Sequence, residues 1–285
     1  MAVVISGKEL AKSKKVKMAE EVKAFEMTYG RLPHLAVILV GEDPGSISYV
    51  KGKEKACEEV GFINTTIRKP DTILEKELLD SIDQLNNDDS VDGILVQLPL
   101  PKHINSDKVI QSIRKDKDVD GFHFENVASL YLKRPGIVSC TPKGILEILD
   151  SISYPIEGKQ AVVIGRSNIV GMPVSKLLLD RNATVTICHS RTKDLASITS
   201  QADILVAAVG RANFVTADMV KEGAVVIDVG VNRTPGTNKL CGDVKFDEVE
   251  SKASYITKVP GGVGPMTICC LMENTIECYL KHVKE

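Results

Sequence analysis

No apolar run in this chain approaches the ~20 residues needed to cross a bilayer, and its first residues lack the charged-then-apolar pattern of a secretory signal. The stretch from Lys8 to Lys23 is basic and amphipathic, but Glu9, Glu20 and Glu21 argue against an organellar transit peptide. Charge of one sign is lacking too. With 36 Lys and Arg against 38 Asp and Glu, the net charge of -2 gives no electrostatic reason to expect nucleic acid or an anionic membrane as partner. The seven cysteines (Cys57, Cys140, Cys188, Cys241, Cys269, Cys270 and Cys278) show no CxxC spacing, and the five histidines are scattered, so no metal is expected. Five of those cysteines sit in apolar surroundings, which predicts reduced, mostly buried thiols in a cytoplasmic protein. Repeats and low-complexity segments are absent. What is there is 43% hydrophobic and 26% charged residues over 285 positions, the composition of a globular protein long enough for two domains.

Residues 7–27 read as a helix, with Ser6 as its cap and Leu10, Val16, Ala19, Val22 and Phe25 on its apolar side. A buried strand at 35–40 (LAVILV) leads through Gly41-Glu42-Asp43-Pro44-Gly45 into a helix over 46–60, stopped by Gly61. Strand 62–68, helix 73–85 and strand 91–98 follow. Strands alternating with helices across short turns predict a mainly parallel sheet covered on both faces. Residues 120–140 read as an irregular crossing, and 142–149 as a short helix ending before Tyr154-Pro155. Further strands are predicted at 161–164, 183–188, 202–210, 224–231 and 255–258. The stretch 259–265 (VPGGVGP) is too rich in glycine and proline to be regular, and an apolar helix over 266–281 closes the chain.

The stretch 161–179 (AVVIGRSNIVGMPVSKLLL) organises the second half. An apolar run, a glycine turn and a helix opening around Met172 and Pro173 form the start of a nucleotide-binding βα unit, where helix amides and the dipole hold a phosphate. The glycines depart from GxGxxG, because Gly165 and Gly171 bracket five other residues. On spacing alone an ordinary βα turn, its glycines relieving backbone strain, is an equal alternative. The next strand ends in His189-Ser190-Arg191-Thr192 without the carboxylate that would accept an NAD ribose hydroxyl. Arg166, Ser190 and Arg191 instead suit a phosphate, which leans the site towards NADP; a solvated polar loop is the alternative for Arg191. The fold class expected is α/β: two α/β domains, the second a Rossmann-like parallel sheet, with a cleft between them.

Ser46, Tyr49 and Lys53 fall at i, i+3 and i+7 on one helix face. Tyr49 could stack on a flat polar substrate and Lys53 exchange a proton with it, provided burial or charge lowers the lysine's pKa. Lys51, Lys53 and Lys55 with Glu54, Glu58 and Glu59 equally describe a salted surface face, and spacing alone favours that description. Gln97 is the only polar residue in 93–100 (GILVQLPL), at the strand edge where ligands gather, unless backbone satisfies its amide. Within 118–122 (DVDGF), one carboxylate could grip adjacent N–H donors of a heterocycle while the other caps the turn. The 260–265 loop offers bare backbone to something flat, or else is a long connector.

With these residues in place, the chain resembles the bifunctional methylenetetrahydrofolate dehydrogenase/cyclohydrolase family end to end. The matching blocks are SISYVKGKEKACEEVGF (46–62), GILVQLPLP (93–101), KDVDGF (117–122), CTPKGI (140–145) and VVIGRSNIVGMP (162–173). They continue with CHSRT (188–192), VIDVGVN (226–232), GDV (242–244) and PGGVGPMT (260–267). The resemblance implies oxidation of 5,10-methylenetetrahydrofolate by NADP⁺ and hydrolysis of the methenyl product, with tetrahydrofolate derivatives as the small-molecule partners. It implies a folate-binding catalytic domain at 1–119 plus 268–285, discontinuous and closed by the last helix, a crossing at 120–140 and an NADP-binding domain at 141–267. Lys53 would be the acid/base assisted by Gln97, Tyr49 would stack on the folate, and Asp120 would hold the pterin. Ser46, Pro260, Gly261, Gly262 and Thr267 complete the implied substrate contacts. Cofactor contacts are implied at Gly165, Arg166, Ser167, Val170, Gly171 and Pro173, at His189, Ser190 and Arg191, and at Val231. Arg166 and Ser190, assisted by Arg191, would take the 2′-phosphate. A homodimer is implied by family likeness alone.

Two positions depart from the family pattern: Ala128 stands where glycine is frequent, and Lys258 replaces a frequent proline. Neither is a catalytic position, but both leave the backbone of their loops open. Three alternatives stand beside the bifunctional enzyme. One is a relative that keeps only the dehydrogenase. Another is a short-chain-dehydrogenase-like oxidoreductase using Tyr49-x-x-x-Lys53, against which the late glycine turn speaks. The last is a nucleotide-binding regulatory module, which leaves Tyr49, Lys53, Gln97 and Asp120 unexplained.

Overall fold

The computed structural model describes residues 1–234 and 239–284, and its chain divides into two compact units. One unit combines Met1–Ala11 with Thr141–Thr267; the other combines Lys12–Cys140 with Ile268–Glu285. In chain order the elements of the first half are β1 (Val3–Ile5), α1 (Gly7–Tyr29), β2 (His34–Val40), α2 (Pro44–Val60), β3 (Ile63–Lys69), α3 (Glu75–Asn86) and β4 (Gly93–Val96). Then come α4 (Ser106–Ser112), α5 (Phe124–Tyr131), α6 (Cys140–Ser151), β5 (Gln160–Ile164), α7 (Gly171–Asp180), β6 (Thr184–Cys188) and α8 (Leu195–Thr199). The last elements are β7 (Ile204–Ala207), β8 (Val225–Asp228), β9 (Asn232–Arg233), β10 (Leu240–Cys241), α9 (Phe246–Val249), β11 (Tyr255–Thr257) and α10 (Val263–His282). No helix among the described residues is long and apolar enough to cross a membrane.

In the 12–140/268–285 unit, β3, β2 and β4 form a parallel sheet with β2 central. β2 is apolar at every position but its first because helices cover both its faces, and Leu35 through Val40 are buried. Helix α2 is defined by its ends: Asp43 accepts the Ser46 amide as N-cap, Pro44 occupies the first turn, and Gly61 closes the helix at φ 83°. Its inward stripe is Val50, Lys53, Ala56, Cys57 and Val60, so spacing forces one lysine among apolar neighbours.

In the 1–11/141–267 unit, six parallel strands run in the order β1-β11-β8-β7-β5-β6. β5 precedes β6 on one side and β7 on the other, so the order reverses at β5 and leaves a crevice at the carboxyl ends of β5 and β7. Val162, Ile164, Leu205, Val226 and Ile256 form the core against which the flanking elements pack.

Several elements differ from the sequence pattern for identifiable reasons. Residues 1–11 group with the nucleotide-type sheet rather than with 12–119, because Val3–Ile5 pairs with β11; three residues carry no readable period. Residues 120–140 fold with 12–119 and contain α5, opened by His123, whose Nδ1 accepts the Glu125 amide. The strands predicted at 202–210 and 224–231 are the shorter β7 and β8: after one further amide each (Ala208 to Ile164 O, Val229 to Ala207 O), the amides of Val209, Gly210 and Gly230 bond to buried carboxylates instead of to strands. Helix α10 begins at Val263, with Pro265 in a first turn that needs no amide from it.

A buried ionic cluster ties the last turn of α10 into its unit. Asp92, fully buried, accepts Arg31 Nη1 and Nη2 at 2.6 and 2.7 Å and the His34 amide at 3.0 Å, and meets His282 Nδ1 at 3.0 Å. Burial alone would raise the Asp92 carboxyl, but the bonds from His282, Arg31 and the His34 amide hold it below its ordinary value. Asp92→Ala removes the carboxylate and leaves the Arg31 charge without its partner. It should cost about 3–5 kcal/mol in urea unfolding; a loss under about 1 kcal/mol would place the cluster among ordinary surface pairs.

Candidate active site

The inward stripe of α2 delivers Lys53 to the carboxyl end of β4. Its ammonium or amine Nζ donates to Gln97 Oε1 at 2.8 Å, and Gln97 Nε2 donates to its neighbour's carbonyl, Leu98 O, at 2.6 Å. The carboxamide is therefore oriented with its oxygen towards the lysine. Lys53 is only 8% exposed, and burial lowers its pKa, partly offset by the negative charge of Asp120. The salted face exists but excludes Lys53: Lys55 pairs with Glu59, which also meets Lys15, and Arg68 pairs with Glu54, while Lys51 and Glu58 point to solvent.

The two aspartates after β4 divide their tasks. Asp118 bonds to the first residues of α5, accepting the His123 amide at 2.8 Å and Asn126 Nδ2 at 2.9 Å through one oxygen. Asp120 makes no such bond among the described residues, and burial pushes its carboxyl up to about 6, against the pull of Lys53 and with the help of Asp118. The intervening Val119 carbonyl accepts Asn274 Nδ2 from α10 at 2.9 Å, as does Val138. Gly121, at φ 71°, lies against Ile137–Ser139 too closely for a side chain. Tyr49, one turn before Lys53, is 40% exposed. Ser46 is buried, and its hydroxyl donates to Asp43 Oδ2 at 3.0 Å as part of the helix cap.

In the other unit the glycine turn lies where β5 ends. Gly165 has φ 131°, and a Cβ there would overlap the Ala208 carbonyl just past β7. Gly171, first residue of α7, approaches the Gly165 carbonyl so closely that a Cβ would overlap it as well. Ser167 Oγ accepts the Val170 and Gly171 amides at 3.2 and 3.3 Å, and Pro173 is buried in the helix's first turn. Gly165 N donates to Cys188 O, joining the ends of β5 and β6. The turn after β6 is closed on itself: His189 N donates to Thr192 Oγ1, and Arg191 N donates to His189 Nδ1. This leaves Ser190 and Arg191 exposed on the same sheet edge as exposed Arg166. Val231, beyond β8, is 46% exposed.

Pro260, Gly261 and Gly262 belong to this second unit as well. Gly261 O accepts the Lys8 amide at 3.0 Å, and Gly7 packs on the Gly262 carbonyl where no Cβ would fit. Thr267 Oγ1 lies 3.0 Å from Thr141 Oγ1. The implied substrate contacts thus divide, with Ser46, Tyr49 and Asp120 in one unit and residues 260–262 and Thr267 in the other.

Comparison with known proteins covers nearly the whole chain. Residues 5–120 match the tetrahydrofolate dehydrogenase/cyclohydrolase catalytic domain, and residues 139–283 match the NAD(P)-binding domain of the same enzymes. The chain belongs to the tetrahydrofolate dehydrogenase/cyclohydrolase family. It is 56% identical over 277 residues to the bifunctional protein FolD of Bacillus anthracis, covering 97% of this chain and 96% of that one. Among solved structures, the bifunctional FolD enzyme of Campylobacter jejuni is 48% identical with a TM-score of 0.96 and 99% of each chain covered. The Trypanosoma brucei dehydrogenase-cyclohydrolase, solved with NADP cofactor and inhibitor, is 39% identical with a TM-score of 0.96, covering 100% of this chain and 99% of that one.

Within this family the two departures have simple structural accounts. Ala128 lies inside α5, where no glycine is needed, and Lys258 places its Nζ 4.8 Å from the Phe246 ring centroid. Spacing did not single out Asn274, whose side chain fastens the Val119 carbonyl, nor the buried pair Asp228 and Asp243. The only signal for that pair was a carboxylate within two residues of a glycine in VIDVG and GDV.

Asp120 releases its proton near pH 6 in the folded chain, against 3.8 ordinarily, so between those values the folded state binds the extra proton. Its contribution to stability is therefore present below about pH 4 and lost as the pH rises through about 6. Wild type should lose more urea resistance than Asp120→Asn across that window; parallel profiles would show that the carboxyl is solvated.

Proposed function

We propose that the protein oxidises 5,10-methylenetetrahydrofolate to 5,10-methenyltetrahydrofolate with NADP⁺ and hydrolyses that product to 10-formyltetrahydrofolate. The observation that carries the proposal is Lys53: a buried amine, bonded to Gln97 beside Asp120, in a chain matching both halves of one enzyme family. Residues at the Gly165 turn fit the cofactor. Two glycines leave no room for side chains where backbone meets backbone, and Arg166, Arg191 and Ser190 face solvent at strand ends that lack a carboxylate. Two cations and a hydroxyl suit a 2′-phosphate. The chemistry NADP⁺ supplies when bound is acceptance of one hydride.

The oxidation needs no acid or base, because the nitrogen lone pairs flanking the methylene carbon stabilise the cation left behind. It does need the donor carbon held in place, the task of Tyr49 stacking on the folate and of Asp120 accepting adjacent pterin N–H groups. A lowered pKa helps Lys53 here, since a neutral amine does not repel the developing cation. In the hydrolysis, water adds to the methenyl carbon and gives one proton to Lys53 Nζ. That proton passes to N5 as the C–N5 bond breaks, and the remaining hydroxyl proton leaves to solvent as the formyl C=O forms. Gln97 holds Nζ in position. Ser46 stabilises the helix start, while Pro260–Gly262 and Thr267 supply backbone and hydroxyl contacts. Gly165, Ser167, Val170, Gly171, Pro173, His189 and Val231 line the cofactor's path along the sheet edge. A cytoplasmic location is supported by six buried cysteines out of seven, with no disulfide among the described residues. A homodimer rests on family likeness.

Mixing the purified protein with methylenetetrahydrofolate should raise the absorbance of the methenyl intermediate only when NADP⁺ is present, followed by decay. No nucleotide-dependent rise would refute the activity. Lys53→Met should abolish the decay while nucleotide binding persists; unchanged hydrolysis would remove Lys53 from its role. Arg166→Ala should raise the NADP⁺ KM about tenfold with kcat nearly unchanged, the mark of lost uniform binding. A large kcat loss at normal KM would count against the 2′-phosphate assignment.

A further inference from the structure

The carboxyl edge of the six-stranded sheet holds two buried carboxylates that the mechanism above does not use. Asp243 is fully buried and accepts three consecutive amides beyond β7: Val209 at 2.6 Å, Gly210 at 3.0 Å and Arg211 at 2.8 Å. Its Oδ1 also accepts Asn232 Nδ2 at 2.9 Å. Asp243 is fixed in turn by Asp228, at the end of β8. Asp228 Oδ1 accepts the Asp243 amide at 2.9 Å and the Gly230 amide at 3.1 Å, and Oδ2 accepts the Val244 amide at 2.9 Å. The Asp228 amide donates to Thr257 Oγ1 of β11 at 2.8 Å. Two glycines make room for this chain: a Cβ on Gly242 would overlap the Asp228 carboxylate, and one on Gly230 would overlap that of Asp243.

The loop so fixed is not remote from the nucleotide turn. Ala208, which immediately precedes the three clamped amides, presents the carbonyl that forbids a Cβ on Gly165. A dinucleotide lies across the point where strand order reverses, its diphosphate at the first βα turn. Here Arg166, Ser190 and Arg191 draw the phosphorylated adenosine half towards β6. The other half must then run towards β7, along the backbone that Asp243 holds.

Resting on the NADP assignment, we propose that Asp243 is a positioning residue for the cofactor: it fixes residues 209–211 as the wall against which the nicotinamide half binds. It touches no reacting atom. Asp243→Asn keeps the side chain's shape but turns an N–H₂ towards amides that need an acceptor.

The test is titration of the full-length protein with NADPH, read by the nucleotide's own fluorescence, beside competition by 2′,5′-ADP, which carries only the adenosine half. In Asp243→Asn the NADPH Kd should rise about tenfold, while the 2′,5′-ADP constant stays within about twofold of wild type. Should circular dichroism show that this variant does not fold, Asn232→Ala decides. It removes only the side-chain donor to Oδ1 and should raise the NADPH Kd about threefold, again sparing 2′,5′-ADP. An unchanged NADPH Kd in a folded variant overturns the proposal. Equal weakening of both ligands also overturns it, since that is what general loosening of the unit would do. Wild-type protein that binds neither ligand would instead remove the NADP assignment beneath it.

Discussion

Keeping one amine away from water is the constraint on which the chemistry proposed for Lys53 depends. An ammonium moved from water into a protein interior loses several kcal/mol of hydration even after relaxation. The usual response is to shift towards the neutral form. Lys53 is placed so by the helical period, which sets it between Val50 and Cys57 on the stripe that must face inward. The same burial pushes Asp120 the opposite way, to about 6. Lysine and aspartate ordinarily hold their protons with very different strength, and desolvation of both brings the two closer together. That convergence suits a site where a proton must be taken up and given back within one turnover.

The other unit uses buried charge for geometry. Asp228 and Asp243 are acceptors for six backbone amides in all, from Val209, Gly210 and Arg211 and from Gly230, Asp243 and Val244. Loops after parallel strands carry amides that no neighbouring strand can satisfy, and a carboxylate is the side chain best able to take several at once. Burial pushes Asp228 up to about 7, which those backbone donors counteract. The loops at this edge are thus held by side chains rather than by strand pairing.

Much of this was legible from the sequence because burial leaves a period behind. The run LAVILV declared β2, the apolar run before Gly165 declared β5, and Asp43, Pro44 and Gly61 marked both ends of α2. Lys53 was visible as a candidate but not as a winner, since alternating lysines and glutamates looked like a surface. Only the depth of its stripe separates it from Lys51 and Lys55. The division between Asp118 and Asp120 was equally hidden, as it depends on where α5 begins, and α5 lay in a stretch that read as irregular. Asp228 and Asp243 escaped notice because a carboxylate close to a glycine ordinarily marks a turn. The glycines matter here for a reason no local pattern carries: each is small so that a carboxylate distant in sequence can fit beside it.

The pairing of β1 with β11 has a consequence for how the chain is made. Val3, Val4 and Ile5 lie beside Tyr255, Ile256 and Thr257, and the partners are separated by roughly 250 residues, among the longest loops a contact here must close. On a ribosome the first strand emerges long before its partner. The edge strand therefore stays unpaired while everything between it and β11 is synthesised, and the sheet gains its sixth strand only after β11 has followed.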